Sequence, residues 1–367
     1  MNQWMTRRFL STAALCFLLS ACTQINEPET GTEWLRVSPE EVQLDAASLV
    51  TLNNRINSGD YGEIHSLLVI RHGYLAVEEY FRGYDRERKH PVYSDTKSIT
   101  SLLIGIALER GNIPSVGTTL LSFFPEYPSV ANPDARKSAI TLADVLTMRA
   151  GFSWNEWSTT YGDTQNPTYQ LATSNDWVKF MLDLPMSDQP GTRFQYNSGA
   201  TVLLSGIIRN TTGKQTEAFA REQLFGPLGI TDYQWDRGAQ GLTNTGWGLN
   251  LRPYDMAKIG YLVLNNGSWY GQQIVASSWL ETSTTKHATP SAQFNYGYQW
   301  WLLPIQNRAG HTPQANDVKF AWGYGGQFIF VVPSLDMVVV STAGNYDNSL
   351  EDSAIDFVRE YIIQTAN

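Results

Sequence analysis

Ser94 and Lys97 stand three residues apart in Val92-Tyr93-Ser94-Asp95-Thr96-Lys97-Ser98-Ile99. On a helix that spacing puts both side chains on one face. A hydroxyl beside an amine is a means of attacking a carbonyl, because the amine can take the proton once a dry, cationic setting lowers its pKa. The chemistry is acyl transfer through a covalent ester on Ser94. A third group, Tyr196 in Phe194-Gln195-Tyr196-Asn197-Ser198-Gly199-Ala200, precedes an apolar run and could relay the proton between Ser94 and a leaving group. The bland roles are a helix cap for Ser94 and a buried, backbone-bonded hydroxyl for Tyr196. Capping and catalysis are compatible at Ser94, since a helix N-terminus also offers N–H groups and positive potential to an anion.

These side chains need rigid supports. Ile99, Leu102, Leu103 and Ile106 recur at helical spacing, which predicts a buried helix from Ser94 to about Arg110, stopped by Gly111 and Pro114. A second Ser-x-x-Lys, Ser283 to Lys286, lies near a helix end with His287 and Pro290 following, and so lacks such a support. Residues 64–70 and 74–81 read as a hairpin around Arg71-His72-Gly73. Residues 296–301, 327–332 and 337–341 read as strands, with Pro333 to Asp336 the turn between the last two. Helices are predicted over 45–57, 142–148, 176–182, 200–209, 215–224, 253–264, 277–284 and 352–364. Residues 150–166, rich in aromatics and broken by Gly162, form a candidate cleft-lining loop. Strands at both ends with helices between predict a sheet assembled from both termini and an inserted helical lobe. The implied division is 41–113 with 237–367 as a mixed α/β lobe and 114–236 as the helical lobe.

The 367 residues carry a formal charge of −9 with no run of Lys or Arg, which argues against nucleic acid as a partner. Arg7 and Arg8 followed by a short apolar run, 9–19, read as a signal peptide spanning 1–21. Leu19-Ser20-Ala21-Cys22 resembles the lipobox of bacterial lipoproteins, which implies lipidation at Cys22 and a polar tether over 22–40. With Cys16 inside the signal, the mature chain would keep no free thiol, and disulfides or cysteine nucleophiles drop out. The expected location is the bacterial cell envelope, on a lipid anchor. His65, His72, His90, His287 and His311 show no metal-ligand pairing. No Gly-x-Ser-x-Gly elbow and no phosphate-binding loop occurs. No metal and no cofactor is implied.

Ser-x-x-Lys at Ser94, then Tyr196-Asn197-Ser198, then a glycine-rich strand start at Ala321-Trp322-Gly323-Tyr324-Gly325-Gly326 follow the motif order of one family. The chain resembles the serine β-lactamase and penicillin-binding-protein superfamily, class C branch. It is most similar to the esterase and 6-aminohexanoate-dimer hydrolase subgroup, because Ser198 stands at the third position of Tyr-x-Asn. The likeness runs from about Ser66 to Tyr361 and includes residues 140–148 and 251–258. It implies an α/β (α+β) fold of β-lactamase/transpeptidase type, with an antiparallel sheet flanked by helices. It also implies an oxyanion hole formed by the backbone N–H groups of Ser94 and Tyr324; losing such a donor costs on the order of a hundredfold in rate. Trp322-Gly323 stands where the family carries Lys-Thr-Gly or His-Thr-Gly, which points to a substrate without the usual carboxylate. Ser198, Trp322, Gly323, Gly325 and Trp154 are the candidate substrate-binding residues. The literal Tyr346-Asp347-Asn348 falls outside the motif order and reads as structural. The expected activity is hydrolysis of a small ester or amide. The alternatives are a D-alanyl-D-alanine carboxypeptidase, a β-lactamase, or a non-catalytic cell-envelope binding lipoprotein.

Overall fold

A computed structural model describes residues 33–366. The signal peptide, Cys22 and most of the tether therefore lie outside the described residues. Helix α1 (Ala46–Ser58) is capped by Asp45 and ended by left-handed Gly59. The hairpin β1 (Ile64–Arg71) and β2 (Tyr74–Tyr80) follows, turning through His72 and Gly73, both at positive φ. Next come β3 (His90–Pro91), α2 (Asp95–Glu109), α3 (Leu142–Leu146), α4 (Pro167–Thr173), α5 (Trp177–Asp183), α6 (Ser198–Thr212) and α7 (Thr216–Ala220). After β4 (Gln234–Trp235) and β5 (Leu249–Leu251) the chain runs into α8 (Pro253–Leu264), the small hairpin β6 (Ser268–Trp269) and β7 (Gln272–Gln273), and α9 (Ser277–Ser283). It ends with β8 (Asn295–Tyr296), β9 (Trp301–Leu303), β10 (Val318–Gly323), β11 (Gln327–Val332), β12 (Met337–Ala343) and α10 (Ser353–Phe357), which continues into a π turn.

The main sheet is antiparallel, in the order β2-β1-β12-β11-β10-β9-β8, so the first hairpin pairs with the last strand of the chain. Every residue of β1, β11 and β12 is buried, which explains why these strands read as continuous apolar runs rather than alternating ones. Successive side chains point to opposite faces. Leu68, Ile70, Ile329, Val331, Val338 and Val340 enter one core, while Leu67, Val69, Phe328, Phe330, Met337 and Val339 enter the other. The first core is shared with α2, α6 and α8, and the second with α1 and the C-terminal helix.

Two segments depart from the sequence reading. The strand expected over 296–301 is a tight corner: Gly297 N–H bonds to the Trp300 carbonyl, Gln299 sits at φ 65°, and β8 and β9 pair across it. The glycine-rich stretch leads into the strand at Gln327 as expected, but its first three residues, Ala321 to Gly323, already end β10, a strand the pattern did not show. Only Tyr324 to Gly326 form the bend that joins β10 to β11, with Gly325 at φ 80° and Gly326 at φ 95°.

Candidate active site

Ser94 occupies the N-cap of α2 but its side chain caps nothing. The residue before it, Tyr93, is held at φ 44°, a strained conformation for a non-glycine residue that delivers Ser94 at a sharp turn. Beyond it α2 is buried on all sides from Asp95 to Ala107. Four fully buried aliphatic side chains at 99, 102, 103 and 106 fix the helix, each contributing about 1.5–3 kcal/mol. Ser98 Oγ donates to the Gln299 carbonyl at 2.6 Å, and Leu249 N–H donates to Thr96 Oγ at 3.2 Å. The helix that carries Ser94 is therefore pinned by packing and by hydrogen bonds.

Lys97 Nζ donates to Ser94 Oγ at 2.8 Å and to the Gly246 carbonyl at 2.7 Å. It is 1% exposed. Burial pulls its pKa down to about 8, against the opposing pull of Glu156 and Asp95. Lys97 Nζ lies 4.9 Å from the centre of the Tyr196 ring. The Tyr196 hydroxyl is within hydrogen-bonding reach of Ser94, and burial together with the Glu156 charge pushes its pKa upward. Tyr196 comes two residues before α6, whose N-terminus is capped by Asn197 through Ala200 N–H at 2.8 Å. Gln299, whose carbonyl holds Ser98 of α2, also ties α6 to α3: it accepts from Thr201 Oγ at 2.8 Å and donates to the Leu146 carbonyl at 2.9 Å.

The end of β10 reaches the same point. A Cβ on Gly323 would lie 2.1 Å from the Val92 carbonyl, so only glycine lets this strand approach the turn before Ser94. Tyr324 follows directly, its ring edge-on to Tyr93 at 5.5 Å and to Tyr161 at 5.0 Å. Ser94 opens onto two chambers. One, of about 630 Å³, is lined by Tyr196, Trp157, Phe294, Trp301, Trp322, Asn348, Ser349, Glu351 and Asp352, among others. The other, of about 320 Å³, is lined by Gly162, Thr168, Tyr169, Ala172, Ser198, Trp247 and Tyr93. Tyr161 and Tyr324 border both.

The Beta-lactamase family model matches residues 65–361. This chain belongs to the Beta-lactamase family. It is 23% identical over 303 residues to the 6-aminohexanoate-dimer hydrolase of Paenarthrobacter ureafaciens, covering 75% of this chain and 71% of that one. It is 28% identical over 161 residues to the lovastatin esterase of Penicillium rubens, a match that takes in 39% of this chain and 38% of the esterase. Among solved structures, a Bacillus anthracis protein assigned provisionally as a 6-aminohexanoate-dimer hydrolase superposes with a TM-score of 0.73. It has 23% identity and covers 92% of this chain and 89% of that one, a likeness of fold. The β-lactamase/transpeptidase-like architecture anticipated from the motif order is the one the chain adopts.

Within this family fold the predicted residues fall into place unevenly. Ser94, Lys97 and Tyr196 converge. Trp322 lines the larger chamber and Ser198 the smaller. Trp154 lines neither: it is 6% exposed, and its indole N–H is spent on Glu156 at 2.6 Å. Its place on the cleft wall is taken by Trp157, stacked on the Tyr196 ring at 5.2 Å, and by Tyr161. Gly323 and Gly325 shape the backbone without lining either chamber. Tyr346-Asp347-Asn348 is not merely structural, because Tyr346 packs on Tyr93 and Tyr324 and Asn348 lines the larger chamber. Ser283 is buried and bonds only weakly back to its own helix at Leu280, while Lys286 is exposed, so the second Ser-x-x-Lys forms no pair.

Glu156 is the residue beside the Lys97–Tyr196 pair that the sequence reading missed. Its carboxylate, 1% exposed, accepts from Ser198 N–H and Ser198 Oγ, both at 2.7 Å, from Trp154 Nε1 and from Tyr161 at 3.2 Å. A buried anion this well bonded is stable. It favours the charged form of Lys97 and the neutral form of Tyr196. The only signal in the chain was an acidic residue inside an aromatic loop.

Proposed function

We propose that the protein is a serine hydrolase that cleaves an ester or amide bond through an acyl-enzyme on Ser94. The observation that carries this is the 2.8 Å contact between Ser94 Oγ, free of any capping duty, and a buried Lys97. With a pKa of about 8, a substantial fraction of Lys97 is neutral near physiological pH and able to accept the serine proton. Ser94 Oγ attacks the carbonyl carbon, and the N–H groups of Ser94 and Tyr324 hold the oxyanion. The proton passes through Lys97 and Tyr196 to the departing oxygen or nitrogen. Water then enters and attacks the ester carbonyl, giving its proton to the same pair, which passes it to Ser94 Oγ as the bond from the carbonyl carbon to that oxygen breaks and the acid leaves. The names of the relatives, a 6-aminohexanoate-dimer hydrolase and a lovastatin esterase, support a hydrolase of this kind.

The aromatic walls, with Trp322 where the family carries a cation, favour small esters or amides over D-alanyl peptides and β-lactams. We also read the chain as a cell-envelope lipoprotein anchored at Cys22, on the strength of Leu19-Ser20-Ala21-Cys22. A fluorophosphonate probe should label the wild type and not Ser94→Ala, and 4-nitrophenyl esters should turn over faster than D-alanyl peptides or a chromogenic cephalosporin. Equal labelling of the two proteins overturns the nucleophile, and the reverse substrate order overturns the substrate class. Metabolic labelling with palmitate, lost in Cys22→Ala, checks the anchor.

A further inference from the structure

Ser94 is the floor of both chambers, and the rings of Tyr161 and Tyr324, 5.0 Å apart and edge-to-face, stand between them. The chambers differ in one chemically decisive respect: Tyr196 lines only the larger. In acyl transfer the bond from the carbonyl carbon to Ser94 Oγ forms, and the bond to the leaving group breaks. The proton taken from Ser94 must end on that leaving group, so the proton donor has to face it. The leaving group then belongs beside Tyr196 and the acyl group across the Tyr161–Tyr324 wall.

We propose that the substrate is divided between the two chambers, a compact uncharged acyl group in the smaller and a leaving group without a carboxylate in the larger. This rests on the serine hydrolase reading above. The smaller chamber is about half the volume of the larger, about 320 against 630 Å³. Its lining carries no Asp, Glu, Lys, Arg or His, only Gly162, Thr168, Ala172, Ser198 and aromatic rings. A charged acyl group there would lose hydration with no partner. Ser198 Oγ spends its hydrogen on Glu156 and so offers the chamber an acceptor. The larger chamber has Glu351 and Asp352 in its lining and no Lys, Arg or His. A carboxylate on the leaving group would meet like charge and find no counter-ion, whereas Trp157, Trp301 and Trp322 suit apolar leaving groups. Gly162 and Trp247 set the length of acyl chain admitted. Gly162 borders the chamber, and a Cβ there meets no atom within 4 Å and no backbone penalty, so a longer side chain has room to occupy it.

The test uses 4-nitrophenyl esters of straight-chain acids for the acyl side. Phenyl butyrate is compared with monophenyl succinate and with 4-carboxyphenyl butyrate for charge. kcat/KM should fall at least tenfold for a carboxylate on either side. Gly162→Leu should move the preferred acyl length shorter, with about tenfold loss for each methylene that no longer fits. Trp247→Ala should move it longer. Ser349→Trp, in the larger chamber, should alter leaving-group preference and keep the acyl-length order. Ratios within each variant are compared, so a general loss of activity cancels. An acyl profile that follows Ser349→Trp, or none of the three, overturns the division while leaving the hydrolase intact. Absence of ester turnover and of Ser94 labelling in the wild type overturns the hydrolase reading together with it.

Discussion

Gly323→Ala tests whether the backbone at the end of β10 holds the developing oxyanion. Gly323 is not at positive φ, so alanine brings no backbone strain of its own. What it brings is a collision: the new Cβ would lie 2.1 Å from the Val92 carbonyl and 2.9 Å from Gln327 Cβ, its partner across the hairpin. Heavy atoms do not approach a Cβ closer than 3.0 Å, so β10 and the Val92–Ser94 turn must separate by nearly 1 Å. Neither side yields easily, because Val92 N–H is bonded to the Leu249 carbonyl and Gly323 is paired to β11. A displacement of that size at reacting atoms costs about a hundredfold in rate, comparable to loss of one oxyanion donor. The overpacking itself destabilises by about 1–3 kcal/mol, which a large domain survives. The assay is kcat/KM on a 4-nitrophenyl ester beside a thermal melt, with Gly117→Ala as control. A Cβ at Gly117 meets only Ser115 Oγ at 3.6 Å, so that variant should behave as wild type. If Gly323→Ala folds and retains activity within about threefold, the oxyanion is held elsewhere.

Other outcomes follow from the same geometry. In the proposed mechanism neutral Lys97, whose pKa is lowered to about 8, takes the Ser94 proton, so kcat/KM should rise with pH to about 8 and then level off. No decline from Tyr196 should appear up to its ordinary value of 10.0, since burial and Glu156 push it above that; a stopped-flow pH profile checks both limbs. Lys97→Arg keeps the charge but not the base, and should lose about 10²–10⁴ in kcat without rescue at high pH. Glu156→Gln removes the anion that favours charged Lys97, so the acid limb should move to lower pH. It also replaces an acceptor of four hydrogen bonds by a group with one acceptor oxygen, for about 1–3 kcal/mol of lost stability in a denaturant titration. Gly105→Ala in α2 would put a Cβ 2.1 Å from the Trp279 ring, whose N–H is bonded to the Ser101 carbonyl at 2.9 Å; the melt should fall by the equivalent of about 1–3 kcal/mol.

The Ser94 helix was legible because a buried helix writes its environment into its own residues: aliphatics at 99, 102, 103 and 106, a glycine and a proline past the end. Strands β11 and β12 and the first hairpin were legible for the same local reason. What the pattern could not reveal was that consecutive apolar residues in β1, β11 and β12 face two separate cores, one under α2 and one under α1. The corner at Gly297 to Trp300 was hidden because its aromatic residues carry strand propensity. There the burial of Trp300 and the hydrogen bonds of Gln299 to α3 and α6 override it. Tyr346 packs on Tyr93 and Tyr324, and Asn348 reaches the larger chamber, because β12 lies two places from β10 in the sheet, a neighbourhood the sequence does not announce.

Glu156 shows why a motif position can be read and still be misunderstood. Ser198 in place of asparagine looks like a loss, since a hydroxyl has one hydrogen to donate where an amide has two. In the folded chain that one hydrogen goes to Glu156, and the Ser198 backbone N–H joins it on the same carboxylate. An asparagine at 198 would need more room on a face where Ser198 is 3% exposed and its neighbour Gly199 already lies against Met181 and Trp154. The small residue and the buried carboxylate thus belong to one arrangement, in which a fixed anion 42 residues away in sequence takes over the environment of the Lys97–Tyr196 pair. The consequence is that the aromatic loop, through Glu156, opposes the lowering that burial imposes on Lys97, alongside Asp95 of the motif itself. Substituting Ser198→Asn alone should therefore lower activity rather than raise it, because the amide would crowd Glu156 out of its four hydrogen bonds.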